Sequence, residues 1–295
     1  MYALGSLGSG TKPRFRPKHT TLCLTTQPHP RGAIIIHPHP PDTMMIAPAP
    51  PPWPYPFWIA HRGGGKLAPE NTLAAFHRGA QHGYRMFECD AKLSADGVLF
   101  LLHDDTLDRT TSGRGTAGAL PWDELAQLDA GRWHSRQYAG EPLPTLQNIA
   151  HFCIANGYLL DIEIKPTPGV EEKTGQAVAA LAARLWQGAP VPPLLTSFKP
   201  ASLAGAQQAA PHLPRGLLLD TLWEGWLDSA LQLGCAAVIC NHALWDAGSV
   251  GQVKAAGLRA LSYTVNDEWA AQRLIALGTD GVVTDRVDLF SPASR

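Results

Sequence analysis

Eight short apolar runs separated by helical stretches occupy the chain from Phe57 onward, and this alternation leaves few architectures open. The pattern predicts parallel strands at Phe57–His61, Met86–Asp90, Leu159–Lys165, Leu194–Ser197, Gly216–Asp220, Ala237–Asn241, Leu261–Val265 and Gly281–Thr284. Between them it predicts helices at Thr72–His82, Leu146–Asn156, Glu171–Gln187, Pro200–Ala209, Trp223–Leu233, Ala243–Ala256 and Asp267–Leu277. Eight strands in a body of 239 residues fit a closed TIM (β/α)8 barrel, whose usual size is about 250 residues. A doubly wound open sheet would use fewer strands and a Gly-rich first turn.

One run falls outside that count. Val98–His103 follows Met86–Leu93 across Ser94-Ala95-Asp96-Gly97, and Asp-Gly is a strong hairpin signal. A parallel return would need a crossover of a dozen residues or more, so this strand comes back antiparallel. His103 then lands near the level of Asp90, above the barrel mouth. The stretch from about 104 to 144 is too long for an ordinary loop and carries a helical fragment at Trp122–Leu128. It reads as a small helical insertion over the mouth. Within it, Gly113-x-Gly115-x-x-Gly118 has dinucleotide-fingerprint spacing but follows polar residues instead of a strand, so it reads as turn chemistry. Gly63-Gly64-Gly65-Lys66 lacks P-loop spacing, and Leu67 stands where a hydroxyl would be needed.

Residues 1–56 differ in kind. They hold 13 of the 26 prolines, with His-Pro repeats at His29-Pro30 and His37-Pro38-His39-Pro40. Such a segment cannot bury enough apolar surface to order itself, so it reads as a disordered tail ahead of a barrel at 57–295. The tail carries +4 of a net charge of −1, which leaves −5 on the body. A mildly acidic body does not resemble a nucleic-acid binder and can host a cation. Five cysteines without a CxxC pair fit reduced thiols better than a disulfide framework. Cys89, flanked by Glu88 and Asp90, must face away from both and toward the core. No run approaches the roughly 18 apolar residues of a membrane span, and no signal-peptide core is present. The expectation is a soluble, cytoplasmic protein without stable membrane insertion; the oligomeric state is left open.

Chemistry concentrates at strand ends: His61-Arg62-Gly63 with Glu70-Asn71 just behind, Glu88-Cys89-Asp90, His103-Asp104 and Asp161-Ile162-Glu163-Ile164-Lys165. Alternation along a strand puts Glu88 with Asp90 on one face, and Asp161, Glu163 and Lys165 on another. Carboxylates converging on a barrel mouth repel unless a cation lies among them, and hard oxygen donors suit Mg²⁺ or Ca²⁺. A structural ion-pair network, such as Glu163 with Lys165 or Arg62, is the plainer alternative. His61 and His103 could each be ordinary core histidines, but their placement on two sides of the carboxylates suits an acid and a base. Arg62 offers a planar fork to phosphate oxygens and Lys165 a point charge. The other histidines of the body lack carboxylate neighbours in sequence, and His242, which follows a strand end, is undecided. The set suits metal-assisted attack on a phosphate ester.

The blocks HRGGGKLAPENTLAAF, FECDAKLSADGVLFLLHDDTLDRTTSGRG, LPTL, DIEIK, YTVN and GVVTD resemble, in order, the signatures of glycerophosphodiester phosphodiesterases. The resemblance runs from about Ile59 to Asp285 and includes none of the proline-rich tail. It implies a TIM barrel with a small helical insertion, a divalent cation, and hydrolysis of small-molecule glycerophosphodiesters to sn-glycerol 3-phosphate and an alcohol. It further implies metal ligands at Glu88, Asp90 and Glu163, acid-base histidines at His61 and His103, and phosphate contacts from Arg62 and Lys165. The sequence does not say which histidine is acid and which base. Tyr263 departs from the family pattern, where Trp often precedes Thr-Val-Asn. Two alternatives remain: a phospholipase-type enzyme docking on membranes through Trp53, Tyr55, Phe57 and Trp58, and a non-catalytic barrel. The second would require a missing site residue, and none is missing.

Overall fold

A computed structural model describes residues 52–290 and 292. The proline-rich segment up to residue 51, with its His-Pro repeats and Cys23, lies outside the described residues. The first strand, β1 (Trp58–Ala60), leads through a single 3-10 turn into α1 (Leu73–Gln81). Then come β2 (Met86–Leu93), the short antiparallel β3 (Leu99–Leu101), and an insertion whose one α-turn is α2 (Trp122–Leu125). The chain continues through α3 (Leu146–Asn156), β4 (Leu159–Ile164), α4 (Glu171–Leu185), β5 (Leu194–Ser197) and α5 (Pro200–Ala209). It closes with β6 (Arg215–Leu219), α6 (Trp226–Gln232), β7 (Ala237–Asn241), α7 (Ala247–Ala255), β8 (Arg259–Tyr263), α8 (Glu268–Leu277) and β9 (Gly281–Thr284).

Omitting β3, neighbouring strands pair in parallel, and β1 pairs with both β9 and β2, which closes an eight-stranded barrel. Side-chain alternation divides the core in two. Ile59, Met86, Leu194, Leu218, Ile239, Leu261 and Val283 point inward and fill the barrel. Phe87, Cys89, Leu160, Ile162, Leu195 and Leu217 point outward and are covered by the helices. Cys89, Cys153, Cys235 and Cys240 are all buried free thiols.

Several expected boundaries shift, each for a local reason. The expected helix at Trp223–Leu233 begins only at Trp226, because Gly225 takes φ +84° and stops the helix from extending backward. The helix expected at Ala243–Ala256 breaks into a 3-10 turn at His242–Leu244 and α7. Asp246 and Ser249 form a reciprocal capping box that starts α7 afresh. The strand expected at Leu261–Val265 begins earlier, at Arg259, where β8 pairs with β7 from Ala237 onward.

The body also begins earlier than Phe57. Tyr55 is buried against the inward core, and its hydroxyl donates to the Pro192 carbonyl at 2.9 Å. Trp53 packs edge-on to Tyr55 and lies beneath the Arg259 guanidinium. Phe57 and Trp58 are buried as well, with Trp58 stacked on Phe290. Tyr55 and Trp53 therefore close the floor of the barrel, while Phe57 and Trp58 pack in the outer core, so the four do not form the membrane-docking surface that a phospholipase-type enzyme would need. Among the described residues no helix is long and apolar enough to cross a membrane.

β3 returns along β2 with Ala91 opposite Leu101 and Leu93 opposite Leu99, as the Asp-Gly turn predicts. The insertion that follows has its own small core of Phe100, Leu102, Leu107, Leu125, Ala130 and Leu143. It is held to the barrel by Lys92, a fully buried lysine of β2. Its Nζ donates to the Lys165 carbonyl at 3.1 Å and to Asp105 at 3.3 Å.

Candidate active site

Register brings the carboxylates together. Glu88 lies beside Asp161 and Asp90 beside Glu163 on the paired strands β2 and β4, all four pointing inward at the C-terminal end of the barrel. Asp161 sits deeper and accepts from the Thr196 hydroxyl at 2.8 Å. Glu88, Asp90 and Glu163 each direct an oxygen to one point, these oxygens lying within 4.8 Å of one another. Burial, reinforced by Asp90 and Glu163, pushes Glu88 well above the usual carboxylate range. Burial and the Asp90 charge likewise push Glu163 up to about 7, and burial pushes Asp161 up to about 8. For Asp90, burial is outweighed by Arg62, His103 and Lys165, which hold it ionised.

The fit to a hard divalent cation follows from unmet bonding. Glu88 Oε1 and Asp90 Oδ1 are buried oxygens with no hydrogen-bond donor among the described residues. Unpartnered buried carboxylate oxygens are costly, and a cation among three of them relieves both the desolvation and the mutual repulsion.

The histidines are held alike. His61, one residue beyond β1, places Nδ1 at 2.6 Å from Asp285, whose other oxygen accepts from Asn266 at 2.9 Å. His103, at the end of the hairpin, places Nδ1 at 2.8 Å from Asp104. A carboxylate only accepts, so each Nδ1 carries the hydrogen and each Nε2 is the nitrogen available to exchange a proton. His61 Nε2 stands 3.8 Å from Glu88. Burial opposes ionisation of Asp285, but the His61 bond overcomes it and brings the carboxyl down to about 2. Burial pushes His103 below the ordinary histidine range.

Cations frame the same space. Arg62 adopts φ +51°, uncommon outside glycine, and its backbone N–H donates to Glu88 at 2.9 Å. Its guanidinium bonds Glu70 at 2.7 Å and lies 3.4 Å from Asp90. The turn that aims it needs Gly65, at φ +57°, where a Cβ would sit 2.1 Å from the Asp285 carbonyl oxygen. Lys165 Nζ donates to Glu163 at 2.7 Å and lies 5.4 Å from the centre of the Phe198 ring. Tyr263 packs edge-on to Phe198 and donates its hydroxyl to the Leu219 carbonyl at 3.0 Å, in the same cavity.

All seven candidate residues thus converge on one mouth. Several neighbours carried no role in the sequence reading. Asn71 grips Asp90 twice, through its amide to Oδ2 at 2.8 Å and by accepting the Asp90 N–H at 3.0 Å. Arg109 forks onto both Asp104 and Glu70, which links His103 to Arg62 through one chain of charges. Asp285, Asn266, Asn71, Arg109 and Glu70 all fall within blocks already noted for their resemblance, but their pairings, such as Arg109 with Glu70, arise only through folding. Among the described residues His242 has no carboxylate partner; its carbonyl accepts from Arg273.

The profile of the glycerophosphoryl diester phosphodiesterase family matches residues 61–289. The chain belongs to that family. It is accordingly an enzyme, a phosphoric diester hydrolase. A glycerophosphodiester phosphodiesterase of Caldanaerobacter subterraneus subsp. tengcongensis is 35% identical over 234 residues, 77% of this chain and 93% of that protein. One from Bacillus subtilis strain 168 is 30% identical, covering 80% of this chain and 86% of its own length. Among solved structures, an Oleispira antarctica phosphodiesterase in complex with the product sn-glycerol-3-phosphate superposes with a TM-score of 0.75. It is 36% identical, covering 81% of this chain and 97% of that one.

Proposed function

We propose that the enzyme hydrolyses small glycerophosphodiesters to sn-glycerol 3-phosphate and an alcohol, with a divalent cation held by Glu88, Asp90 and Glu163. The observation that carries the reading is the convergence of these three carboxylates, two with unpartnered buried oxygens, between two histidines that are each held at Nδ1 by an aspartate. Family membership and the product-bound relative supply the glycerophosphate half of the substrate.

A bound cation offsets negative charge on the phosphate oxygens, and Mg²⁺ or Ca²⁺ suits the all-oxygen donor set. Arg62 and Lys165 orient those oxygens, the first as a fork and the second as a point charge. One histidine takes a proton at Nε2 from the attacking oxygen, water or the glycerol 2-hydroxyl. The other gives a proton from Nε2 to the departing alkoxide. Asp285 and Asp104 fix the two tautomers and stabilise whichever imidazole becomes charged.

Calorimetric titration with Mg²⁺ and Ca²⁺ tests the ligand set, alongside hydrolysis with and without chelator. Glu163→Gln keeps shape and removes a charge, so it should weaken cation binding at least tenfold and nearly abolish turnover. Unchanged cation affinity in that variant would remove Glu163 from the set.

A further inference from the structure

Resting on the phosphodiesterase reading, we infer that a second cavity beyond His61 and Arg62 holds the leaving alcohol. We further infer that it favours an alcohol bearing a carboxylate or several hydroxyls over a quaternary ammonium alcohol. Two cavities meet at those side chains. One, of 150 Å³, lies within the mouth and contains Glu88, His103, Glu163 and Lys165. The other, of 370 Å³, is walled by Lys66 and Glu70 of the β1–α1 loop and by Arg109, Trp133 and His134 of the insertion. His61 and Arg62 line both.

The two ester arms of a tetrahedral phosphate diverge, so a diester bound at the carboxylates sends its arms different ways. The glycerol arm is constant among glycerophosphodiesters and suits the smaller space, whose wall is made by strand ends. The alcohol varies and suits the roomier space, whose wall is made of loops. His61, on the boundary, then lies against the ester oxygen that joins the two halves.

Charge around the larger cavity decides the class of alcohol. Arg109 is committed to Glu70 and Asp104, and Arg62 to Glu70. Asp285 is committed to His61 and Asn266. Among the described residues the exposed Lys66 ammonium forms no hydrogen bond or ion pair, and its field reaches Asp285. The uncommitted charge on this wall is positive. Trp133, 40% exposed, has its Nε1–H bound to the Ala130 carbonyl at 2.8 Å, so it offers its ring as an apolar backing for a carbon skeleton. An indole face alone would attract a quaternary ammonium; an ammonium lining the same cavity opposes that.

Values of kcat/KM for glycerophosphoserine, glycerophosphoinositol, glycerophosphocholine and the methyl ester of glycerol 3-phosphate test this on the parent, Lys66→Glu and Trp133→Ala enzymes. The parent should favour the serine and inositol diesters over choline. Lys66→Glu should move the serine-to-choline ratio about tenfold toward choline. Trp133→Ala should lower the inositol-to-methyl ratio by a similar factor. Unchanged ratios in both variants, a parent preference for choline, or equal losses on every substrate including the methyl ester would overturn the subsite. A parent inactive on all four, with its cation bound, would sink the phosphodiesterase reading itself.

Discussion

His61 and His103 each have Nδ1 held by an aspartate, and in the proposed mechanism Nε2 is the nitrogen left to the reaction. Replacing either with Ala should cost about 10²–10⁴ in rate. If the two serve opposite proton transfers, an aryl diester with a good leaving group rescues the variant lacking the acid and not the one lacking the base. Equal defects on good and poor leaving groups would mean that both histidines only bind phosphate. Glu163 allows a second check, through stability. Its ordinary value is 4.5 and burial raises it to about 7 in the fold, so the folded state resists its ionisation. That penalty is absent below about pH 4.5 and grows as pH rises toward and through 7. In chelator, Glu163→Gln should therefore be more stable than the parent at pH 8, with the gain vanishing near pH 4.5. Chemical denaturation at the two pH values reads this directly; a variant less stable at pH 8 would refute it. Asp285 runs the other way. Held down to about 2, it contributes stability above its unfolded value of 3.8 and loses it as pH falls toward 2. The stability gap between the parent and Asp285→Asn should accordingly narrow on acidification.

Among the elements, the hairpin carries His103 to the barrel mouth, and the insertion that follows it lines a cavity beside His61 and Arg62. The turn Asp96-Gly97 and the antiparallel register set the height of His103. The insertion is kept in place by its own core and by Lys92. Leu125 is fully buried in that small core, so Leu125→Ala should cost about 2–5 kcal/mol there. Hydrogen exchange should quicken across residues 104–144 while β4 to β9 keep their protection. Activity should fall along with it, since Arg109 and Asp104 orient His103. Loss of protection throughout the barrel would show the insertion and the barrel to be one cooperative unit.

Over the whole molecule, the barrel is closed below by aromatic residues and open above to chemistry. Tyr55, 6% exposed, packs beneath the inward core, so Tyr55→Ala should destabilise the fold by about 3 kcal/mol while leaving KM unchanged. A rise in KM without loss of stability would contradict that structural role. The architecture itself was legible from sequence, because strand period, helix period and eightfold alternation are local patterns that only a closed parallel barrel satisfies together. Glu88 with Asp90, and Asp161 with Glu163, were legible for the same reason: alternation fixes which side chains share a face. The hairpin was equally readable from Asp96-Gly97. The positions of Tyr55 and Trp53 were not, since a proline-rich composition says nothing of what a few aromatic residues at its end can pack against. Nor were the Arg109–Glu70 and His61–Asp285 contacts, which join residues 39 and 224 positions apart. Sequence spacing fixes faces within an element, whereas strand register and the closing of β1 on β9 fix neighbours between elements. That is why the candidate site residues could be named along the chain, while the partners that hold them were decided only when the barrel closed.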